Sequence, residues 1–169
     1  MNDDSVRGNK AYACRMDTLT PQLKHFADLS VHVARPIEVG QTGQGLRRLI
    51  PITGGTAQGK GWTARVLPGG TDYQRVISDT IAELDAHYVL ETDAGDLIYV
   101  RNKALRVASP EVTARLVRGE IVDPALVYFR CQPTLECASV QFAWLRERMF
   151  AGSGARHPDR VDMRFFELV

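Results

Sequence analysis

The chain has 169 residues, 44% of them hydrophobic, and a formal net charge of +1. A chain of this length folds as one domain and buries its own core without added cross-links. Because basic and acidic residues are mixed along it, the sequence carries no positive stripe of the kind that binds nucleic acids. The three cysteines include no Cys-x-x-Cys pair, which argues against a disulfide scaffold and a structural zinc site. We expect no nucleic-acid partner, no metal and no other cofactor.

The N-terminal end shows no targeting signal. Residues 1–7 are acidic and polar rather than basic and then apolar, so neither a signal peptide nor a transit peptide is predicted. No segment approaches the ~20 consecutive apolar residues that a transmembrane helix needs. We therefore expect a cytoplasmic protein with no membrane partner. Residues 1–22 lack sustained periodicity and are predicted to form a flexible arm, and residues 23–169 a single domain.

Beyond residue 22, short segments with alternating apolar residues recur between turn residues, a pattern typical of a β-sandwich or β-barrel. Glycine-rich loops are predicted at residues 40–45 and 54–61. A clearer signal is the hairpin of residues 86–92 and 97–103, since a short polar turn with Gly95 joins the two strands. Further strands are predicted at residues 29–34, 46–53, 62–67, 125–131, 141–150 and 161–169.

One predicted helix interrupts the strands. Ser109 is a favourable N-cap, and Pro110 suits the first helical position. Glu111 complements the helix dipole, and Gly119 follows the last turn. A closed or nearly closed sheet would remove the edges that these strands otherwise expose. The sequence therefore predicts an all-β fold, an antiparallel β-barrel with one short helix.

Five segments, taken in chain order, carry a family resemblance. They are RLIPITGG at residues 48–55, VLPGGTDYQ at 66–74, LIYVRN at 97–102, YFR at 128–130, and Trp144 with Leu145. Over roughly residues 23–169 the chain resembles the domain-of-unknown-function family 3237, a group of small bacterial and fungal proteins. The resemblance implies an antiparallel barrel with a short helix and a homo-oligomer. It also implies cofactor-independent acid–base chemistry on phenolic or enone-like small molecules, although most of the family has no assigned function.

Two predicted strands place a tyrosine and an arginine two residues apart, so that both side chains point to one face. The pairs are Tyr99 with Arg101 and Tyr128 with Arg130. If that face lines the barrel, the phenols and guanidiniums would bind an anionic or carbonyl-bearing ligand. If it faces outward, they are ordinary surface residues. The alternation leaves both possibilities open, because the intervening residues would fill a core equally well.

Asp72, just after the turn at residues 68–70, is the first candidate for a catalytic carboxylate. A carboxylate partly removed from water has a raised pKa and serves as a general acid or base near neutral pH. The alternative is a turn residue that accepts hydrogen bonds from nearby backbone amides. Asp79 would complete an acid–base pair with Asp72, or else cap the following turn. Tyr73 is a candidate for ligand contact, but strand alternation sends it and Asp72 to opposite faces.

Arg48 shares a predicted strand face with Ile50 and Ile52, which is unusual for an arginine. A buried arginine needs a carboxylate partner or an anionic ligand, because an unpaired buried charge is very costly. We expect Glu136 to be its partner in a salt bridge, with an anionic ligand as the alternative.

Tyr88 is a further candidate for ligand contact on its predicted strand. Trp144 either packs in the core or forms the wall of a pocket. Cys131 and Cys137 have no histidine near them in sequence to stabilise a thiolate, so we expect inert thiols.

Three functional hypotheses follow. The first is an enzyme without metal or nucleotide, a lyase, isomerase or cyclase in which Asp72 moves a proton and Arg101 or Arg130 stabilises an oxyanion. The second is a non-catalytic barrel that binds or carries a small hydrophobic or anionic metabolite. The third is a barrel filled by its own side chains that acts through its oligomer surface.

Overall fold

The structure is a computed structural model, and it describes residues 19–169. The arm predicted at residues 1–22 lies outside this range except for its last four residues. The described strands are β1 (Leu23–Val33), β2 (Ile37–Thr42), β3 (Gly45–Gly59), β4 (Trp62–Val66), β5 (Thr71–Val76), β6 (Ile81–Thr92), β7 (Leu97–Val107), β8 (Tyr128–Cys137), β9 (Phe150–Arg156) and β10 (Arg160–Leu168). Helix α1 spans Pro110–Val117, and two 3-10 segments span Pro124–Leu126 and Val140–Glu147.

The strands form one antiparallel sheet that closes on itself. From β1 the sheet runs through β10, β9, β8, β7 and β6, and it returns through β4 and β5 to β3, which pairs with β1. Strands β1 and β2 lie in line along one edge of β3, and β4 and β5 lie in line along the other. Ten strands therefore occupy eight positions around the ring. The predicted all-β antiparallel barrel with one short helix is confirmed.

Side chains alternate between the barrel interior and solvent along each strand. The middle of the barrel is apolar, with Ile52, Leu90, Val100 and Phe165 among its buried residues. One end is closed by aromatic rings, since the segment Val140–Glu147 brings two of its side chains against those of neighbouring strands. These rings belong to Phe26, Trp62, Phe142, Trp144 and Phe150. The interior is polar toward the opposite end.

The hairpin and the helix formed as predicted. Strands β6 and β7 pair along their length, and Gly95 in their turn has a φ of 87°. The Ser109 hydroxyl accepts a hydrogen bond from the Val112 amide, and Pro110 begins the helix. Gly119, with a φ of 76°, follows its C-terminal end. Local capping and turn chemistry were sufficient to locate these elements.

Other predicted boundaries were wrong. Residues 141–150 are mostly the 3-10 segment Val140–Glu147, in which Phe142 and Leu145, three residues apart, are both buried. Most of the loop predicted at residues 54–61 belongs to β3. A Cβ at Gly55 would lie 2.0 Å from the Ser30 carbonyl oxygen, so glycine here permits close packing within a strand. Strand β2 begins before the loop predicted at residues 40–45 and runs into it, and β8 begins at residue 128 rather than 125.

Strand β9 was not predicted, because its glycine and serine residues have low strand propensity. The same glycines are required by packing. A Cβ at Gly152 would lie 2.7 Å from the Arg164 carbonyl oxygen, and one at Gly154 would lie 2.8 Å from the Phe129 ring. The small residues therefore let β9 approach its neighbours closely.

Candidate functional site

The polar end of the barrel opens into a cavity of about 790 Å³. We call it the polar mouth and define it by five side chains that line it: Arg48 on β3, Asp72 and Gln74 on β5, Arg106 on β7 and Arg156 on β9. Each occupies an inward position on its strand, and the sheet register brings these positions to the same end of the barrel. The C-terminal end of α1 and the segment after β1 complete the rim.

A chain of hydrogen bonds holds the carboxylate of the polar mouth. Arg48 Nε donates to Gln74 Oε1 at 2.9 Å, and Gln74 Nε2 donates to Asp72 Oδ2 at 2.6 Å. The backbone amide of Asp85 donates to Asp72 Oδ1 at 3.2 Å. Arg48, Asp72 and Gln74 are all buried. Each carboxylate oxygen of Asp72 thus accepts one hydrogen bond, and each can accept another.

Burial and charge have opposing effects on the titration of this carboxylate. Burial raises the pKa of Asp72, and this effect outweighs the hydrogen bond from Gln74 and the positive charges of Arg106 and Arg48, which lower it. The carboxylate therefore has a higher proton affinity than an exposed aspartate.

The guanidiniums of the polar mouth outnumber its carboxylate by three to one. Burial lowers the pKa of Arg106 to about 10, with a further contribution from the charges of Arg156 and Arg48. The pKa of Arg156 is lowered by burial and by Arg48. Among residues 19–169, Arg156 Nη1 is buried without a hydrogen-bond partner. The rim adds two acidic and two basic side chains, so it does not offset the positive charge inside: Arg35, Glu38, Arg118 and Asp159.

A narrower chamber of about 40 Å³ adjoins the polar mouth. We call it the inner chamber. Its walls are largely apolar, and five residues line both spaces: Val33, Asp72, Leu84, Phe129 and Val161. Asp72 therefore lies at the junction of the two.

Two polar side chains, Tyr88 and Asn102, also line the inner chamber, and they are only 4% and 6% exposed. Within the described part of the chain, neither the Tyr88 hydroxyl nor Asn102 Oδ1 has a hydrogen-bond partner. Buried polar groups in proteins are nearly always hydrogen-bonded. Two unpaired groups at one small chamber therefore point to a place where a polar group from outside the chain fits.

The Cys131 thiol on β8 is buried. Burial raises its pKa to about 12, despite a hydrogen bond from Asn102 and the charge of Arg130, which lower it. A thiol with this pKa supplies almost no thiolate near neutral pH.

The family model described as "Protein of unknown function (DUF3237)" matches residues 21–168. The chain belongs to this family. A UPF0311 protein of Rhodopseudomonas palustris is 40% identical over 144 residues, which are 85% of this chain and 94% of the relative. A UPF0311 protein of Clostridium acetobutylicum is 36% identical over 141 residues, which are 83% of this chain and 89% of the relative. The resemblance predicted from five sequence segments is confirmed.

Solved structures of similar proteins have the same barrel. The conserved protein of unknown function from R. palustris superimposes with a TM-score of 0.84 at 37% identity, covering 90% of this chain and 99% of that one. A β-barrel-like protein from Acinetobacter baumannii gives 0.80 at 38% identity, covering 92% and 100%. An enzyme from Penicillium herquei gives 0.66 at 15% identity, covering 90% and 97%, a likeness that shows the fold alone.

Three of the predicted site residues of this DUF3237 barrel line the polar mouth or the inner chamber: Arg48, Asp72 and Tyr88. Arg48 faces inward with Ile50, as its position in an apolar row indicated. Its predicted partner was wrong. Glu136 is exposed at an outward position of β8, and Gln74 bonds Arg48 instead.

Three predicted ligand contacts, Tyr73, Tyr99 and Arg101, lie on the outer face of β5–β7. Together with their neighbours Asp85 and His87 they form what we call the outer cluster. His87 Nδ1 and the Tyr99 hydroxyl are 2.6 Å apart, and Arg101 Nη2 lies 2.7 Å from Asp85 Oδ2. Tyr73 packs edge-on against His87. Tyr99 and Arg101 face outward because Val100 and Asn102 take the inward positions of β7. The surface alternative therefore holds for this pair.

The other predicted residues also lie away from the polar mouth. Tyr128 and Arg130 are exposed on β8, with the Arg130 guanidinium 5.1 Å from the centre of the Tyr128 ring. Asp79 is exposed in the turn between β5 and β6 and is not part of the mouth lining, so the expected pair with Asp72 is not formed. Trp144 packs against Phe26 at the aromatic end.

Sequence reasoning missed Arg106, Arg156 and Asn102. A signal existed for Arg106 and Asn102, because both alternate in register with Ile98 and Val100 along β7. The same test that singled out Arg48 would have found them. Arg156 gave no usable signal, since the glycine-containing strand that carries it was not recognised.

Over residues 19–169, no group of three or more histidine, cysteine or acidic side chains is arranged to hold a metal ion. Within the same residues, no helix is long and apolar enough to cross a membrane.

Proposed function

We propose that the protein is an enzyme that carries out acid–base chemistry on a carbonyl-bearing or phenolic small molecule in the polar mouth. The observation that carries this proposal is a buried carboxylate with a raised pKa that faces three guanidiniums. The cavity is large enough for a metabolite, since ligand pockets commonly measure about 300–1,000 Å³. The reaction class is that of a lyase, isomerase or cyclase, in which a proton moves and no group is carried by the protein.

Asp72 is the proposed proton-transfer group. In its ionised form it accepts a proton from an acidic C–H or O–H of the substrate and later returns it to the product. Its raised pKa brings it closer to neutral pH, where a general base is most effective. The hydrogen bonds from Gln74 and from the Asp85 amide keep the carboxylate oriented without reorganisation during the reaction.

The interior arginines take the oxyanion role that the sequence led us to expect of Arg101 and Arg130. Proton removal beside a carbonyl places negative charge on the carbonyl oxygen. Arg106 and Arg156 face the same cavity as Asp72, and burial makes their interaction with a developing charge stronger than it would be in water.

A non-catalytic barrel is the second candidate. The observation that favours it is the internal chain from Arg48 through Gln74 to Asp72, because a purely structural carboxylate would be held in the same way. In that case the guanidiniums bind an anionic metabolite and Asp72 only balances their charge. The expected homo-oligomer and cytoplasmic location stay proposals alongside either candidate.

The test separates binding from turnover. A thermal-shift screen against aromatic acids, enones and phenolic metabolites identifies ligands, since a ligand at a hundred times its Kd stabilises the native state by about 2.7 kcal/mol. Each ligand is then assayed for turnover with the wild type, with Asp72→Asn and with the control Asp79→Asn. An enzyme loses about 10²–10⁴-fold in turnover with Asp72→Asn while it still binds the ligand, and Asp79→Asn retains activity.

If Asp72→Asn changes only ligand affinity, or if the wild type binds a ligand and never converts it, the non-catalytic candidate replaces the enzyme. Unchanged turnover in Asp72→Asn would remove Asp72 from the mechanism.

A further inference from the structure

The polar mouth and the inner chamber differ in chemistry along the barrel axis, and the strand register orders their residues. Asp72 pairs with Ala86, and Ala86 pairs with Asn102, so these three lie side by side. Tyr88 lies two residues deeper along β6. Arg106 lies four residues from Asn102 along β7, about 13 Å nearer the opening. A ligand that fills both spaces therefore meets guanidiniums at one end and Tyr88 at the other.

The deep end has a specific hydrogen-bonding requirement. Asn102 Oδ1 only accepts hydrogen bonds, whereas the Tyr88 hydroxyl both donates and accepts. One group that satisfies both must therefore donate a hydrogen bond to Asn102 and either donate to Tyr88 or accept from it, as a hydroxyl does. A carboxylate cannot donate to Asn102, and an alkyl group satisfies neither. The chamber has room for roughly three water-sized groups, so a hydroxyl with the adjoining carbon fits.

The outer end of the cavity, in contrast, requires a negatively charged group. Arg48, Arg106 and Arg156 face one carboxylate, and Arg156 Nη1 is buried without a partner among the described residues. A guanidinium binds a carboxylate or phosphate through parallel hydrogen bonds. An anionic group at this end would offset the excess positive charge that the fold brings together.

We infer that the ligand is an organic anion with a hydroxyl at its apolar end, the anionic group bound by Arg106 and Arg156 and the hydroxyl bound between Tyr88 and Asn102. Asp72, at the junction of the two spaces, then lies beside the part of the ligand that links them. This inference rests on the use of the cavity in the proposed function, and it names the class of molecule that the cavity selects.

The experiment measures Kd by isothermal titration calorimetry with aromatic probes of two lengths. The hydroxy acids are 4-hydroxybenzoate and 3-(4-hydroxyphenyl)propanoate. Their deoxy partners are benzoate and 3-phenylpropanoate, and their uncharged partners are the methyl esters of the hydroxy acids. We expect one length to bind at least tenfold more tightly as the hydroxy acid than either partner does, because a site with unpaired polar groups discriminates against a ligand that leaves them unpaired.

Two variants assign the two preferences to residues. Tyr88→Phe is expected to bring the hydroxy-to-deoxy affinity ratio close to one and to leave the acid-to-ester ratio unchanged. Arg156→Gln is expected to bring the acid-to-ester affinity ratio close to one and to leave the hydroxy-to-deoxy ratio unchanged. Tyr99→Phe and Arg101→Gln are matched controls on the outer cluster and should alter neither ratio. Ala86→Val narrows the inner chamber without removing a polar group and should weaken every hydroxy acid at least tenfold.

The inference is overturned if no hydroxy acid binds saturably, if the deoxy acids bind equally well because water satisfies the chamber, or if Tyr88→Phe leaves the ratio unchanged. These results are distinct from failure of the proposed function. A hydroxy acid that binds as expected but is never converted supports the inference and contradicts the proposed enzymatic function. If a substrate without a hydroxyl is converted by the wild type and not by Asp72→Asn, the proposed enzymatic function is supported and the inference about the ligand is contradicted.

Discussion

Both faces of β5–β7 carry tyrosine, arginine and other polar side chains. On the outer face these groups are exposed to solvent and paired with one another, whereas on the inner face they are buried and several lack a partner among residues 19–169. On the outer cluster, His87 lies within hydrogen-bonding distance of both Tyr99 and Asp85, and Asp85 also pairs with Arg101. Solvent reaches all of these groups. On the inner face, Tyr88 and Asn102 are buried, and their oxygen atoms have no partner among residues 19–169.

This difference distinguishes an ordinary protein surface from a candidate binding site. Exposed ion pairs contribute little to stability, so the outer cluster is compatible with an ordinary solvated surface. Buried polar groups without partners raise the free energy of the folded state, and several like charges raise it further. The inner face therefore carries groups that folding alone does not favour but that a bound molecule would stabilise.

The largest expected difference in stability between the faces comes from breaking the inner hydrogen-bond chain. Gln74→Leu leaves Arg48 Nε and Asp72 Oδ2 buried without their partner, and we expect the free energy of unfolding to fall by about 3 kcal/mol. Arg101→Leu, which removes the ion pair of the outer cluster, should leave stability little changed. Urea denaturation of the two variants and the wild type measures this. Equal losses would show that the two faces are energetically alike.

The two carboxylates of this region should also respond to pH in opposite directions. The pKa of Asp72 is raised by burial, so the folded protein binds this proton more tightly than the unfolded chain does. The pKa of Asp85 is lowered, first by its hydrogen bond from Arg101. Asp72 therefore contributes stability that is lost as the pH rises above the ordinary value of 3.8, and Asp85 contributes stability that is lost as the pH falls below it.

Unfolding free energies measured between pH 3 and pH 8 for the wild type, Asp72→Asn and Asp85→Asn test this. Relative to Asp72→Asn, the wild type should become less stable as the pH rises. Relative to Asp85→Asn, it should become less stable as the pH falls through the most acidic part of the range. A difference in unfolding free energy between wild type and variant that does not change with pH reflects altered hydrogen bonds and does not test the pKa shifts. A wild type that gains stability over Asp72→Asn with rising pH would show that the Asp72 pKa is lowered.

The contrast between the faces also explains how far the sequence could be interpreted. Alternation along β7 sorts its residues into two sets, but the outward set contains Leu97 and Leu105 and the inward set contains Arg106, so composition does not identify the core face. Turn and capping residues located the β6–β7 hairpin and helix α1, because these signals are local. The site depends on which strands become neighbours, and Arg156 reaches it only through the register of β9 with β8 and β10.

The smallest expected change in stability comes from removing one tyrosine hydroxyl on each face. Tyr88→Phe removes a buried hydroxyl that has no partner in the described chain, so the free energy of unfolding of the unliganded protein should stay the same or rise by up to about 1 kcal/mol. Tyr99→Phe removes an exposed hydroxyl that interacts with His87, and its effect should lie within about 0.5 kcal/mol. Chemical denaturation of both variants without ligand decides the sign. A loss above about 1 kcal/mol in Tyr88→Phe alone would mean that this hydroxyl is already satisfied in solution. The inner chamber would then hold a structural water, and the distinction between the two faces would rest on the charges of the polar mouth alone.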